Sequence, residues 1–288
     1  MTDRWLVRAD HVWKRYCRTM RRSVRYALTD GVRSFVGLPP TSGELREDEF
    51  WSLRDISFEL HRGEAMAVIG ANGAGKSTLL KILSGVIAPD RGELRVRGRI
   101  VSMMMAGVGF HPVLTGRENI YIYGSLLGLR RREIQRRIPA ILEFADLTEF
   151  LDTPVKYYST GMYMRLAFSI AAQTLPDVFV IDEVLAVGDI TFRTKCIDHL
   201  QTMKREGCAL LLVSHSSGHL RALADHGLWL RRGECQARGP IESVLDLYLD
   251  EQGADAPPGP ASPPAAPPIA GDAPPPAGAQ PGDRMLGI

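Results

Sequence analysis

The sequence predicts an α/β fold on a mostly parallel core sheet, and three observations carry that prediction. Three short aliphatic runs, Ala65–Ile69 (AMAVI), Val178–Ile181 (VFVI) and Ala209–Val213 (ALLLV), are apolar throughout. Helical stretches separate them, which is the pattern of strands buried on both faces of a parallel sheet. Each run ends in a polar group: Gly70 and the loop beyond it, Asp182-Glu183, and Ser214-His215. In open α/β sheets ligands bind outside the carboxyl ends of the strands, so three polar strand ends converging there make a site.

The first of those loops carries the strongest chemistry. Gly70–Leu83, GANGAGKSTLLKIL, fits G-x-x-x-x-G-K-[ST] with Gly70, Gly75, Lys76 and Ser77 in their places. The backbone of Gly70, Ala71, Asn72, Gly73, Ala74 and Gly75 must curl so that successive N–H groups face phosphate oxygens, and glycine permits that curl. Lys76 then reaches the β- and γ-phosphates, Ser77 ligates Mg²⁺, and Thr78 stands beside it in the first turn of a helix whose N-terminal dipole favours anions. After the second run, Asp182 supplies the other Mg²⁺ contact, and Glu183 is placed to polarise an attacking water as general base. After the third, His215 is a candidate to hydrogen-bond the γ-phosphate and that water. His215 and His219 have a metal-like spacing, but no third ligand is evident and zinc is discounted.

Bulk properties narrow the class. The chain has 288 residues, 45% apolar and 24% charged, with a formal charge of +2. That balance is ordinary for a globular protein and gives no electrostatic footprint for nucleic acid. The four cysteines, Cys17, Cys196, Cys208 and Cys235, show no C-x-x-C pair and read as a reduced, cytoplasmic set. No apolar run approaches the roughly 18 residues needed to span a bilayer, so membrane work requires another chain. From about residue 251 the composition turns to Pro, Ala and Gly, which predicts a disordered tail over 251–288.

One stretch has no evident chemistry of its own: Tyr157–Gln173, YYSTGMYMRLAFSIAAQ. It lacks a carboxylate, a histidine and a cysteine, and by itself it predicts only that Ser159 or Thr160 caps a helix. Its place in the chain says more. A phosphate loop, then Ser159-Thr160-Gly161 at a helix start, then a hydrophobic strand ending Asp182-Glu183, then strand-end His215: this order resembles the ATP-binding cassette (ABC) ATPase family. The resemblance implies a phosphate-loop NTPase fold of ABC type with a helical subdomain near 110–175, within a catalytic domain over 1–250. It also implies that Ser159, Thr160, Gly161 and Met162 cap the ATP held by a second copy's phosphate loop, giving a head-to-tail homodimer around two ATP molecules. A hydroxyl, glycine N–H groups and a helix dipole suffice for that task. By the same resemblance Tyr16 stacks on adenine, with Trp13 as competitor, and Asp189 sits in the loop that links the two sites.

Three longer phrases point to a branch. YYSTGMYMRLAFSIA departs from the usual Leu-Ser-Gly-Gly-Gln signature, and with DEVLAVGD (Asp182–Asp189) and GFHPVLTGREN (Gly109–Asn119) it resembles the ATPase subunits that export bacterial O-antigen, capsule and teichoic-acid chains. This implies a peripheral protein on the cytoplasmic face of the bacterial inner membrane, working on an integral permease that carries a lipid-linked polysaccharide. The alternatives are an ABC motor for another substrate and a soluble ABC ATPase uncoupled from transport. A GTPase is disfavoured because neither asparagine, Asn72 or Asn119, is followed by lysine. The family's usual Gln after the strand that follows the phosphate-loop helix is missing, since no Gln lies between Gly92 and Ile134. Met103–Met105 in that region read as strand and core, and coupling falls to the Gly109–Asn119 segment. An insertion over about 17–50 contains Arg21, Arg22 and Arg25 alternating with Met20, Val24 and Leu28, a basic amphipathic helix suited to a membrane face, a partner or its own domain.

Overall fold

The computed structural model of the protein describes residues 5–35, 45–103, 107–182, 189–214 and 216–255. Along them the elements run β1 (Trp5–Cys17), α1 (Met20–Phe35), β2 (Glu49–His61), β3 (Ala65–Ile69), α2 (Lys76–Leu83), β4 (Arg91–Val96), β5 (Ile100–Ser102), α3 (Gly116–Leu126) and α4 (Arg131–Ala145). There follow α5 (Thr160–Ala172), β6 (Val178–Ile181), α6 (Ile190–Arg205), β7 (Ala209–Leu212), α7 (Ser217–Leu223), β8 (His226–Arg231), β9 (Glu234–Pro240) and α8 (Ile241–Asp255).

Among the described residues the larger sheet has the order β5-β6-β7-β3-β8-β9. The pairs from β5 to β8 are parallel, and only β8–β9 is antiparallel. Every residue of β3, β6 and β7 is buried, because helices cover both faces, and this is why the three segments are apolar without alternation. Since these strands run in one direction, Gly70, Asp182 and Ser214 emerge along the same edge. A smaller antiparallel sheet, β2-β1-β4, lies over α2. Val7, Val12, Ile56, Phe58 and Leu60 on its inner face pack with Leu79 and Leu80 of α2 and with Met66 and Val68 of β3. Because β2 presents only one face to this core, it alternates from Ile56 to Leu60 where the central strands do not.

The helical segment α3–α5 has its own core of Ile120, Tyr123, Ile134, Ile141, Leu166 and Ile170. Its first helix is fixed by a capping box in which Thr115 and Glu118 bond each other's backbone. The opposite face of α5, with Phe168, Ala171 and Ala172, joins the core under the large sheet. Serving two cores explains why α5 is apolar almost all round. Met103 is fully buried in the same core, while Met104 and Met105 lie outside the described residues.

The C-terminal boundary differs from the compositional expectation. Helix α8 continues through Asp255 instead of giving way to tail at residue 251. Glu251 pairs with Arg231 at the end of β8, and Gln252 Nε2 donates to Tyr248 Oη at 2.6 Å, so side-chain contacts carry the helix past the change in composition. Residues 256–288 lie outside the described residues.

Candidate active site

The turn after β3 is shaped by glycines at two tight positions. Gly70 has φ +151° and a Cβ there would stand 2.3 Å from the Leu230 carbonyl oxygen; Gly75 has φ +110° and its Cβ would stand 2.6 Å from the Ser52 carbonyl oxygen. Both positions therefore exclude any other residue on conformational and steric grounds. Gly75 is also the N-cap of α2, and it supplies no side-chain acceptor to the first turn. An anion suits a helix start of this kind, through its leading N–H groups and the helix dipole. Lys76 is nearly buried, and its Nζ donates to the carbonyl oxygens of Gly70 at 2.6 Å and Ala71 at 3.1 Å. These bonds lay the ammonium back along the loop, over the concavity that the backbone encloses.

That concavity is a cleft of about 440 Å³, lined by Asn72–Thr78 together with Tyr16, Phe50, Ser52, Asp182 and Val213. The cleft thus joins residues from the small sheet, the β3–α2 turn and the end of β6. The two hydroxyls of the first helical turn differ. Thr78 Oγ1 lies 2.8 Å from Ser52 Oγ, an internal bond that ties the loop to β2, whereas the Ser77 side chain is exposed to the cleft. Ser77 and Asp182 therefore provide two oxygen donors on one cleft, a donor set that suits a hard divalent cation such as Mg²⁺. Glu183 lies one residue beyond Asp182 and His215 one residue beyond Ser214, both outside the described residues. The described chain ends on the cleft at the first and beside it at the second.

The two aromatic candidates separate cleanly. Tyr16 opens onto the cleft beside Phe50, its register partner across β1–β2, at a ring-centroid distance of 6.3 Å. Trp13 packs edge-on against Trp51 at 5.1 Å and opens onto a different cavity with Arg54, Asp55 and Glu234. The two side chains thus leave β1 toward different cavities.

Ser159 is the N-cap of α5, and its Oγ accepts from the Met162 N–H at 3.1 Å. Ser159, Thr160 and Gly161 are not among the residues lining the phosphate-loop cleft. They are exposed or half-buried at the surface of the helical segment. Asp189 caps α6 by accepting from the Phe192 N–H at 2.7 Å, and it pairs with Arg165 of α5.

Sequence reasoning missed several contacts around these groups. Ser52 and Phe50 line the cleft from β2, and the alternation of that strand was the available signal. Arg165 links α5 to the cap of α6, and its guanidinium also lies over the Phe192 ring at 5.2 Å. Tyr163, four residues after Ser159, donates through its hydroxyl to the Gly107 carbonyl at 2.6 Å and packs at a tilt on Phe110, ring centroids 4.8 Å apart. No local pattern in the sequence marks those long-range partners. The buried thiols of Cys196 and Cys208 are pushed up to about 12 by desolvation, which leaves them protonated and inert.

The ABC transporter family model matches residues 53–186. An O-antigen export system ATP-binding protein of Klebsiella pneumoniae is 41% identical over 84% of this chain and 97% of its own length. The chain belongs to the ABC transporter family. Its family activity is ATP hydrolysis. A teichoic acids export ATP-binding protein of Listeria monocytogenes is 43% identical over 69% of this chain and 59% of its own. Among solved structures, the ATP-binding subunit of an ABC transporter shares the fold with TM-score 0.68 at 22% identity, covering 87% of this chain and 98% of that one. A dimeric ATP-binding cassette bound to ADP and Pi matches with TM-score 0.63 at 19% identity, covering 82% and 98%. The described residues contain no helix long and apolar enough to cross a membrane.

Proposed function

We propose that this chain is the ATP-hydrolysing subunit of an ABC exporter that drives a cell-surface polysaccharide, carried on a lipid, through a separate integral permease. The reading places it on the cytoplasmic face of a bacterial inner membrane as a head-to-tail homodimer. The observation that carries the substrate class is the 41% identity to an O-antigen export ATP-binding protein across nearly all of that protein's length. The chemistry is carried by the cleft that joins the phosphate loop, Ser77 and Asp182.

In this reading ATP lies with its phosphates in the turn Gly70–Gly75 and its adenine on Tyr16. Backbone N–H groups and Lys76 neutralise the phosphate oxygens. Magnesium, held by Ser77 and Asp182, supplies charge neutralisation on the β- and γ-phosphates when bound. Glu183 accepts a proton from the attacking water, and His215 orients that water against the γ-phosphate. Ser159, Thr160, Gly161 and Met162 of a second copy close the cleft, and Asp189 lies in the segment between the two sites. The permease docks on the helical segment, where Leu114, Tyr121, Ile122 and Leu126 line an apolar cavity of about 620 Å³ beside the Gly109–Asn119 segment. Burying that surface on a helix of the permease would transmit closure of the dimer.

The test of the transporter assignment is affinity purification of the chain from detergent-solubilised membranes of its own host. A multi-span membrane protein in stoichiometric amount is expected; recovery only from the soluble fraction would remove the transport assignment. The chemical assignment has its own test. Glu183→Gln is expected to cut ATP turnover by about 10²–10⁴-fold while leaving nucleotide binding nearly intact, and unchanged turnover would show that another group is the base.

A further inference from the structure

Three residues before Tyr16, β1 opens onto a second cavity, of about 620 Å³, that nucleotide binding leaves unused. Trp13 of β1 and Trp51 of β2 line it, with the Arg91 guanidinium over both rings at 5.7 and 5.4 Å. Leu45, 39% exposed, lines it ahead of β2, and Glu234 and Cys235 line it from the start of β9. Both indoles are only half-buried, so two large flat faces stay partly in water and forfeit burial at roughly 25 cal/mol per Å². The charged groups beside them are engaged within the chain. Arg54 pairs with Glu234 at 2.9 Å, and Asp55 Oδ1 lies 2.6 Å from His11 Nδ1. Aromatic faces among internally paired charges suit an uncharged, apolar ligand. A phosphate or a glycan would have to compete for donors and acceptors already in use.

The chain carries such a ligand close by. Helix α8 runs along β8 toward the β8–β9 turn: Tyr248 meets Trp229 edge-on at 5.9 Å, and Glu251 pairs with Arg231. Arg231 is the register partner of Glu234, which lines the cavity. The helix ends at Asp255, about 6 Å of helical rise beyond Glu251. The sequence that follows, APPGPASPPAAPP (256–268), carries no charge and sets Pro257, Pro260 and Pro263 at intervals of three, an interval that Pro264 and Pro267 repeat. Three is the period of the polyproline II helix, so those prolines share an edge of it. Such a helix makes no internal hydrogen bonds, so a composition unable to build a core can still adopt it, and aromatic-lined grooves recognise its ridge. From Pro257 to Pro263 it would extend about 19 Å, against about 5 Å between the two strands of the hairpin it must pass.

We propose that the Pro-rich segment 256–268 docks as a polyproline II helix on the Trp13–Trp51 cavity of its own chain. Tethering makes the contact effective. An attached segment meets the cavity at an effective concentration near millimolar, so a contact too weak to hold a free peptide is populated, whereas the same segment of another copy arrives only at the bulk protein concentration. The cavity shares no lining residue with the phosphate-loop cleft, and the contact holds whatever the transported substrate.

Cys235 is exposed and lines the cavity, so it can report the docking. The test uses the full chain with Cys17→Ser, which leaves Cys235 as the accessible thiol because Cys196 and Cys208 are buried. Ala261→Cys then puts a second thiol between Pro260 and Pro263. Mild oxidation is expected to join it to Cys235 within one chain. Trp51→Ala should slow that disulfide at least about fivefold with the tether length unchanged, and so should paired Pro260→Ala and Pro263→Ala, which lie beyond the last helix. A free peptide of sequence 256–268 at millimolar concentration should slow it as well. ATP binding by the Trp51→Ala protein at the level of the unsubstituted chain serves as the check on folding. Absence of the disulfide overturns the proposal. So does a disulfide whose rate ignores Trp51→Ala, the paired proline variant and the peptide, since the segment would then be only tethered nearby. A disulfide formed only between two copies, rising with protein concentration, also overturns it and gives the cavity to a neighbour's segment.

Discussion

Two helix N-termini in this chain are suited to the same ligand, and they are built in opposite ways. At α2 the start is enclosed: Gly75 and Lys76 are buried, the cap offers no side-chain acceptor, and a cleft shared with Tyr16, Ser77 and Asp182 lies in front. At α5 the start is open: Ser159 occupies the cap with its own oxygen, and Ser159-Thr160-Gly161 lie off the cleft, exposed or half-buried. In the proposed function the first is a complete binding surface that holds an anion within one chain, and the second is half of one, contributing a hydroxyl, amides and a dipole to a phosphate held by another copy. On that proposal the chain is silent at α5 in isolation and functional there in a pair.

The sharpest way to break that comparison is to disable one terminus at a time. Ser159→Arg is expected to abolish ATP-dependent dimerisation while the monomer keeps its affinity for ATP. Lys76→Ala is expected to weaken ATP binding to the monomer by at least about 30-fold, the effect of removing a buried, hydrogen-bonded cation. Each variant alone should stay monomeric in light scattering. An equimolar mixture contains one intact pairing, the Lys76 of the first variant's chain with the Ser159 of the second's, and dimers holding one nucleotide should reappear. Loss of ATP affinity in the Ser159→Arg monomer would place both termini in one site and end the distinction.

The enclosed terminus was legible in the sequence and the open one only through its company. Gly70–Ser77 is contiguous, and its requirements are local: backbone curl, a lysine and a hydroxyl in one turn. The buried strands were legible for the same reason, since β3, β6 and β7 are covered on both faces and carry that fact in four or five consecutive residues. At Ser159 the local pattern yields a cap and nothing else, and the structure agrees that the cap is what the single chain makes of it. The contacts that hold α5 in place were illegible. Arg165 to Asp189 and Tyr163 to Gly107 join residues far apart in sequence, and nothing in periodicity or composition pairs them. The orientation of α1 was likewise hidden: spacing defines an amphipathic helix but not which side the rest of the protein takes, and that was decided by Asp48, Glu47 and Arg46 beyond the helix. The expected start of the tail falls short of the end of α8 because composition changes at residue 251 while side-chain pairing continues to Glu251 and Gln252.

The smallest expected effect tests how far the enclosed surface extends beyond the phosphates. Tyr16 and Trp13 lie three residues apart on β1, Tyr16 the candidate and Trp13 its competitor in the sequence, and only Tyr16 lines the cleft. An aromatic face stacked on a base contributes about 1–3 kcal/mol, which corresponds to roughly 5- to 150-fold in affinity. Tyr16→Ala should lower ATP affinity within that range, and Tyr16→Phe should retain most of it, because stacking needs the ring and not the hydroxyl. Trp13→Ala should leave affinity unchanged and lower thermal stability instead, since it removes the edge-on contact with Trp51. Binding of ATP and of inorganic triphosphate to each variant, measured by calorimetry, separates the two. The Tyr16→Ala loss should appear with ATP and vanish with triphosphate, which has no base to stack. An equal loss with both ligands would mean that Tyr16 supports the phosphate loop itself, through Phe50 and β2, and that the enclosed surface recognises phosphate alone.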